Sequence, residues 1–185
     1  DILIMSEVLD NLIREDSEFS ESKFKSKVEN EFIQIRMSIV TGKTERIKHF
    51  VNDETYEKIV AKVEDDKANN RIQMYDELNV SNVTFTNIKE LDDCFEIEVK
   101  LHSKALDYYL NRETRKFLSG NNSYRTEKDH TIVFKKIKNN RALGVARKCP
   151  GCGASLDLNK TGVCEYCGTI FNLEKYDWVI TYMDL

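Results

Sequence analysis

The sequence predicts an α+β fold: N-terminal helices packed on one face of a curved antiparallel sheet. Three observations carry that prediction. Apolar residues recur at helical spacing through the first third of the chain. Further on, the period drops to two, where Phe95, Ile97, Val99 and Leu101 alternate with Glu96, Glu98 and Lys100. The strand-like runs follow the helices instead of alternating with them, which is the order of an α+β domain and not of βαβ units.

Each element has its own local reason. Ile4, Val8, Leu9, Leu12 and Ile13 line one face of a short amphipathic helix at 3–14. Ser20 is a good N-cap for a longer helix. Its stripe is Phe24, Val28, Phe32 and Ile35, widened by Ile33, Met37 and Val40, and Gly42 ends it. Thr44 is read as the cap of a short helix holding Ile47 and Phe50. Asp53 begins another, with Tyr56, Ile59, Val60 and Val63 inward and a solvated charge run at 64–67. Leu78, Val80, Val83 and Phe85 open the strand region. Cys94 heads the alternating run as a small buried hydrophobe, and that run extends towards Leu110. Residues 119–123, Ser-Gly-Asn-Asn-Ser, read as a turn, and 131–137 as a strand with Ile132 and Phe134 on one face. A final strand follows from Trp178, in which Tyr176, Trp178 and Tyr182 should share a face. Tyr108, Tyr109, Phe117 and Tyr124 are expected to be ordinary sheet core.

The chemistry-bearing motif is a pair of knuckles, Cys149-Pro150-Gly151-Cys152-Gly153 and Cys164-Glu165-Tyr166-Cys167-Gly168, with eleven residues between them. Two C-x-x-C-G turns at this spacing form the ligand set of a four-thiolate zinc ribbon, with Cys149, Cys152, Cys164 and Cys167 as ligands to one zinc. Four thiolates fill the coordination sphere and leave no position for water, so the expected metal role is structural and not catalytic. Zinc thiolates in place of disulfides point to a reducing, cytoplasmic side.

The ribbon does not end the chain. A lone strand cannot satisfy its own backbone, so 176–185 must pair with something, the simplest partner being 131–137. The alternative is that it belongs to the ribbon. The expected organisation is an amphipathic helix at 1–16, an α+β domain at 17–145, a ribbon insertion at 146–175, and a final strand at 176–185 returning to the α+β domain. The chain begins at Asp1, so an anchor or targeting segment is expected upstream.

With a net charge of −4 and a single lysine in the ribbon's own loops, nucleic-acid binding is not expected. No apolar run approaches the ~20 residues of a membrane helix. The 135–148 segment nevertheless concentrates Lys135, Lys136, Lys138, Arg141, Arg147 and Lys148 without an acid. Such a run is either a solvated connector or a contact for anionic lipid headgroups. Acid–base candidates are His49, His102 and His130, each isolated from other catalytic groups in sequence. No nucleophile elbow, paired carboxylate or phosphate loop is present. The expectation is a non-enzymatic binding or scaffold module. Small-molecule binding, an isomerase or dehydratase activity, and contacts through the ribbon are the alternatives.

Phe-Ser-Glu-Ser-Lys-Phe at 19–24, Ile-Lys-His-Phe-Val-Asn-Asp-Glu-Thr-Tyr at 47–56, the strand-rich stretch 72–110 and Asp-Trp-Val-Ile at 177–180 together resemble the bacterial branch of the Tim44-like family. The resemblance covers roughly 17–137 and 176–185. It implies a cone-shaped fold like that of nuclear transport factor two, with a concave apolar pocket. It also implies association with membrane phospholipid or with protein-translocation partners, and some bacterial members look similar in carrying a C-terminal zinc ribbon. The oligomeric state stays open.

Overall fold

Three helices come first, then three long strands, then a late short one. The computed structural model describes residues 2–138, 147–149, 151–156, 163–170 and 177–185, with only the backbone at 147, 148 and 156. The helices are α1 (Ile2–Glu15), α2 (Glu21–Thr41) and α3 (Asp53–Ala68), with a short 3-10 helix at Glu45–His49 between the last two. The strands are β1 (Arg71–Glu90), β2 (Cys94–Asn111), β3 (Phe117–Ile137), β4 (Arg147–Lys148), β5 (Ser155–Leu156) and β6 (Val179–Met183). β1, β2, β3 and β6 form one antiparallel sheet in that order, and β4 pairs with β5 apart from it.

α2 is the keel. The Ser20 hydroxyl accepts from the Lys23 amide, and Gly42 closes the helix with φ +73°, its N–H donating to Ser38. Phe24, Val28, Phe32, Ile35 and Ile39 are buried against Ile97, Val99, Leu101, Ile132 and Phe134 of the sheet. Ile33 and Met37 point outward instead, because a helix 3.6 residues per turn cannot turn every apolar residue to one side. α1 differs in the same way. Met5, Val8, Leu9 and Leu12 pack on the core, while Ile4 and Ile13 lie exposed beside that line. Thr44 holds the N-cap position of the 3-10 helix without a side-chain capping bond: its hydroxyl sits 3.2 Å from the Tyr56 hydroxyl, and Asn52 is the side chain that caps α3, accepting from Thr55.

The charge run 64–67 is not wholly solvated. Asp66 is 2% exposed and accepts from Lys62 Nζ and Arg71 Nε, both at 2.9 Å. It thus ties the end of α3 to the first residue of β1. Period-based reading misses this because one of the partners, Arg71, comes from another element.

The 119–123 segment is not a terminal turn but part of β3. Asp107 pairs with Asn121 and Ala105 with Thr126, so residues 122–125 bulge out opposite Leu106. The Asn121 carboxamide oxygen accepts from the amides of Ser123 and Tyr124 and holds the excursion. Phe117 and Tyr124 consequently stand exposed rather than forming core.

β6 returns to the main sheet. Ile132 faces Met183, Val133 faces Tyr182 and Phe134 faces Ile180, leaving Thr181 as an extra residue. That bulge reverses the alternation, so Trp178 is buried while Tyr182 is exposed and the two do not share a face; Tyr176 lies outside the described residues. The other edge of β6 is held too: Ile180 N–H donates to Phe50, and Asn52 N–H donates to Ile180. Trp178 packs edge-on against Phe24 with ring centres 5.3 Å apart.

Candidate metal centre

The two knuckles fold as near copies. In the first, Gly153 N–H donates to the Cys149 carbonyl at 2.9 Å and Cys149 N–H donates to Ala154; in the second, Gly168 donates to Cys164 at 2.9 Å and Cys164 to Thr169. Gly153 and Gly168 both have positive φ, +73° and +76°, which lets the chain double back under the thiols. The four sulfurs lie within 4.8 Å of one another. Cys149 and Cys167 Sγ are 3.6 Å apart, Cys152 and Cys164 Sγ 3.8 Å. These are non-bonded separations, far above the about 2.05 Å of a disulfide. The cluster can hold one metal ion.

The surroundings favour charged sulfur at Cys149 and Cys167, whereas Cys152, against its hydrogen bond from the Ala154 amide, is pushed up to about 12 by the neighbouring thiols. Gly151 N–H donates to Cys149 Sγ at 3.3 Å, and Thr169 Oγ1 lies 3.0 Å from Cys167 Sγ. The Thr169 hydroxyl, with its backbone amide, brings the Cys167 thiol down to about 6. Gly151 is needed for close approach: a Cβ there would meet Thr169 Oγ1 at 2.1 Å and Cys167 Sγ at 3.3 Å. Among the described residues of 147–170, Cys149 and Cys164 are the ones that are buried. The thiols are themselves the module's interior.

The basic run is partly spoken for. Lys136 Nζ is 2.7 Å from Asp16, Lys138 2.8 Å from Glu90 and Lys135 3.7 Å from Glu96. Arg141 lies outside the described residues, as do the side chains of Arg147 and Lys148.

Among the described residues, the face of the sheet that carries the helices is packed rather than open. Phe32, Ile97, Leu101, Ile132 and Phe134 are fully buried there. Next to them a cavity of only about 20 Å³ remains, beside Arg36, Tyr75, Ser103 and His130. Arg36 is 3% exposed, donates to the Tyr75 hydroxyl at 3.0 Å and stacks 4.4 Å over its ring. His130 is 1% exposed, pushed down to about 4 by burial and then by Arg36, so it is a neutral core residue.

The other two histidines lie apart from it. His102 holds Asp129 at 2.7 Å and Glu127 at 3.4 Å on the outer face of the sheet, and the Asp129 bond raises its pKa. His49 follows α2 on the 3-10 helix, and burial lowers its pKa. The three candidate histidines therefore do not converge on one reaction centre. A larger cleft, about 600 Å³, runs along the other side of α2 past His49, Glu31 and Asp177. It had no sequence signal, because its walls come from segments more than a hundred residues apart.

With the helices, the sheet order and the knuckles in place, the comparison with known families can be read. The model of the Tim44-like domain matches residues 5–144. The chain belongs to the Tim44-like domain family. No match was found among curated proteins. The match includes all three helices and the three long strands, while β6, which closes the sheet, comes from beyond it.

Proposed function

We propose that this Tim44-like chain is a non-catalytic scaffold that works at a membrane with protein-translocation partners, carrying a zinc ribbon as a rigid appendage. Family membership over residues 5–144 is the observation that supports this most. The packed face of the sheet favours a surface-binding role over a reaction in the cone pocket, since about 20 Å³ admits a water but no substrate. Among the described residues no helix is long and apolar enough to cross a membrane.

Zinc is the metal that best suits the cluster. With Zn–S near 2.3 Å, the edges of a tetrahedron are about 3.8 Å. Two of the sulfur separations, 3.6 and 3.8 Å, agree with that. Cys149, Cys152, Cys164 and Cys167 would hold the ion with no open position, supplying folding energy and no Lewis acid. Thiolate ligation suits a reducing compartment. Elemental analysis of the full chain purified without chelator tests this: one zinc per chain is expected, and none would remove the assignment.

Lys135, Lys136 and Lys138 already have carboxylate partners, whose loss would confound a charge reversal, so the membrane-contact test of the basic run uses Arg141, Arg147 and Lys148. Flotation with vesicles containing anionic phospholipid should show binding that weakens with salt and is lost on reversing those three charges. Absence of binding at low salt would leave the protein partner as the reading.

A further inference from the structure

We infer that the cleft between α2 and the entry to β6 is a binding site for a small organic cation, one carrying a primary ammonium or guanidinium head. Its walls include Lys27 and Glu31 of α2, His49 and Phe50, and Asp177 and Trp178. At about 600 Å³ it is the size of small-molecule sites in general.

The chemistry on those walls is one donor short. The Glu31 side chain is 5% exposed. Its Oε2 accepts from Lys27 Nζ at 3.1 Å, but Oε1 is buried with no hydrogen-bond partner. The same Lys27 ammonium lies 3.1 Å from Asp177 Oδ2. Two carboxylates thus share one cation, and one carboxylate oxygen goes unmet. A buried oxygen without a donor is costly, and a second N–H cation is the group that would remove the cost. Lys27 already reaches Asp177, so it can keep that contact while ceding Glu31 to a ligand. Phe50 and Trp178 offer apolar walls to an alkyl stem. His49 is held neutral by burial and by Lys27, and so adds no repulsion. Lys23, the remaining charged group on the cleft, is exposed at its mouth and screened by solvent.

Burial lifts the Glu31 carboxyl to about 8, so the empty cleft holds a proton there at neutral pH. A bound cation would take that proton's place, and binding would release it to solvent.

The test is titration of the full chain with agmatine, with 1,5-pentanediol and glutarate as neutral and anionic controls. Trp178 is the chain's one tryptophan and reports on the cleft by fluorescence. Calorimetry in two buffers of different ionisation enthalpy reports proton release. Agmatine should saturate in the millimolar range or below, release a proton near neutral pH and bind more tightly as pH rises through Glu31's titration. Glu31→Gln should weaken it at least about tenfold, the worth of one charged hydrogen bond. Asp177→Asn, which leaves Lys27 on Glu31 alone, should weaken it several-fold. An equal response to glutarate, no saturation by agmatine, or unchanged affinity in both variants would overturn the site.

Discussion

The α+β domain and the cysteine module of this chain are stabilised by opposite means. The domain buries Phe24, Phe32, Ile97, Leu101, Phe134 and Trp178 in one continuous core. Among the module's described residues, the buried ones are two of its thiols, and its sheet is two residues by two. A unit that small cannot offset the entropy of ordering its chain by apolar burial. On the proposed zinc reading it depends on the metal, whereas the domain depends on shape complementarity. One consequence is that the two should fail separately.

The sharpest way to break the comparison is to remove the metal. Chelation, or Cys164→Ser, should cost the module about 10 kcal/mol of apparent stability, the worth of a small zinc site. Amide exchange in 147–170 should become fast while α2, β2 and β3 stay protected. Simultaneous loss of protection in β2 would show that the units are one cooperative body. Next comes the domain's own core. Phe134→Ala, with the ring that meets Phe24 at 5.1 Å removed, should destabilise by about 3–5 kcal/mol in denaturant melts, without changing zinc stoichiometry. Asp66→Ala should cost about 3 kcal/mol, because it leaves Lys62 and Arg71 facing a vacated site. Gly151→Ala acts on the module alone: its Cβ would displace Thr169 from Cys167, and weaker zinc retention in a competition assay is the expected readout.

The smallest effect is a pH dependence that belongs to the α+β domain. His130 titrates near 4 in the fold against 6.5 unfolded, so the unfolded chain binds more protons between those values. Its contribution to stability is present above about 6.5 and is lost as pH falls towards 4. Glu31 runs the other way: raised from 4.5 to about 8, it favours the fold at low pH, and that contribution is lost as pH rises through 8. Glu31→Gln should therefore flatten the alkaline side of a stability–pH curve, and His130→Gln the acidic side. Urea midpoints across that range measure both.

Legibility differed between the regions for the same physical reason. The ligand cysteines are readable because a C-x-x-C turn brings its two sulfurs together by local geometry alone. The two-residue period of β2 and the stripe of α2 are readable because burial on one face imposes them. What misled were the places where a distant partner overrides the local pattern. Asp66 looks like one more surface acid until Arg71 and Lys62 close on it. Residues 119–123 have turn chemistry, but pairing with β2 absorbs them as a bulge. Tyr182 follows Trp178 by an even step, but Thr181 resets the count.

By itself, then, the sequence determined the fold class, the grouping of the four cysteines and most of the core-facing residues, because each follows from spacing along a helix, a strand or a turn. Tertiary structure alone decided three things. β6 returns to the main sheet beside β3, with its other edge held by Phe50 and Asn52. Among the described residues, the helix-bearing face of the sheet is closely packed. Glu31, His49 and Asp177 meet in one cleft. These depend on which segments far apart in the chain come to lie together, and that depends on how whole surfaces pack, which no local period encodes.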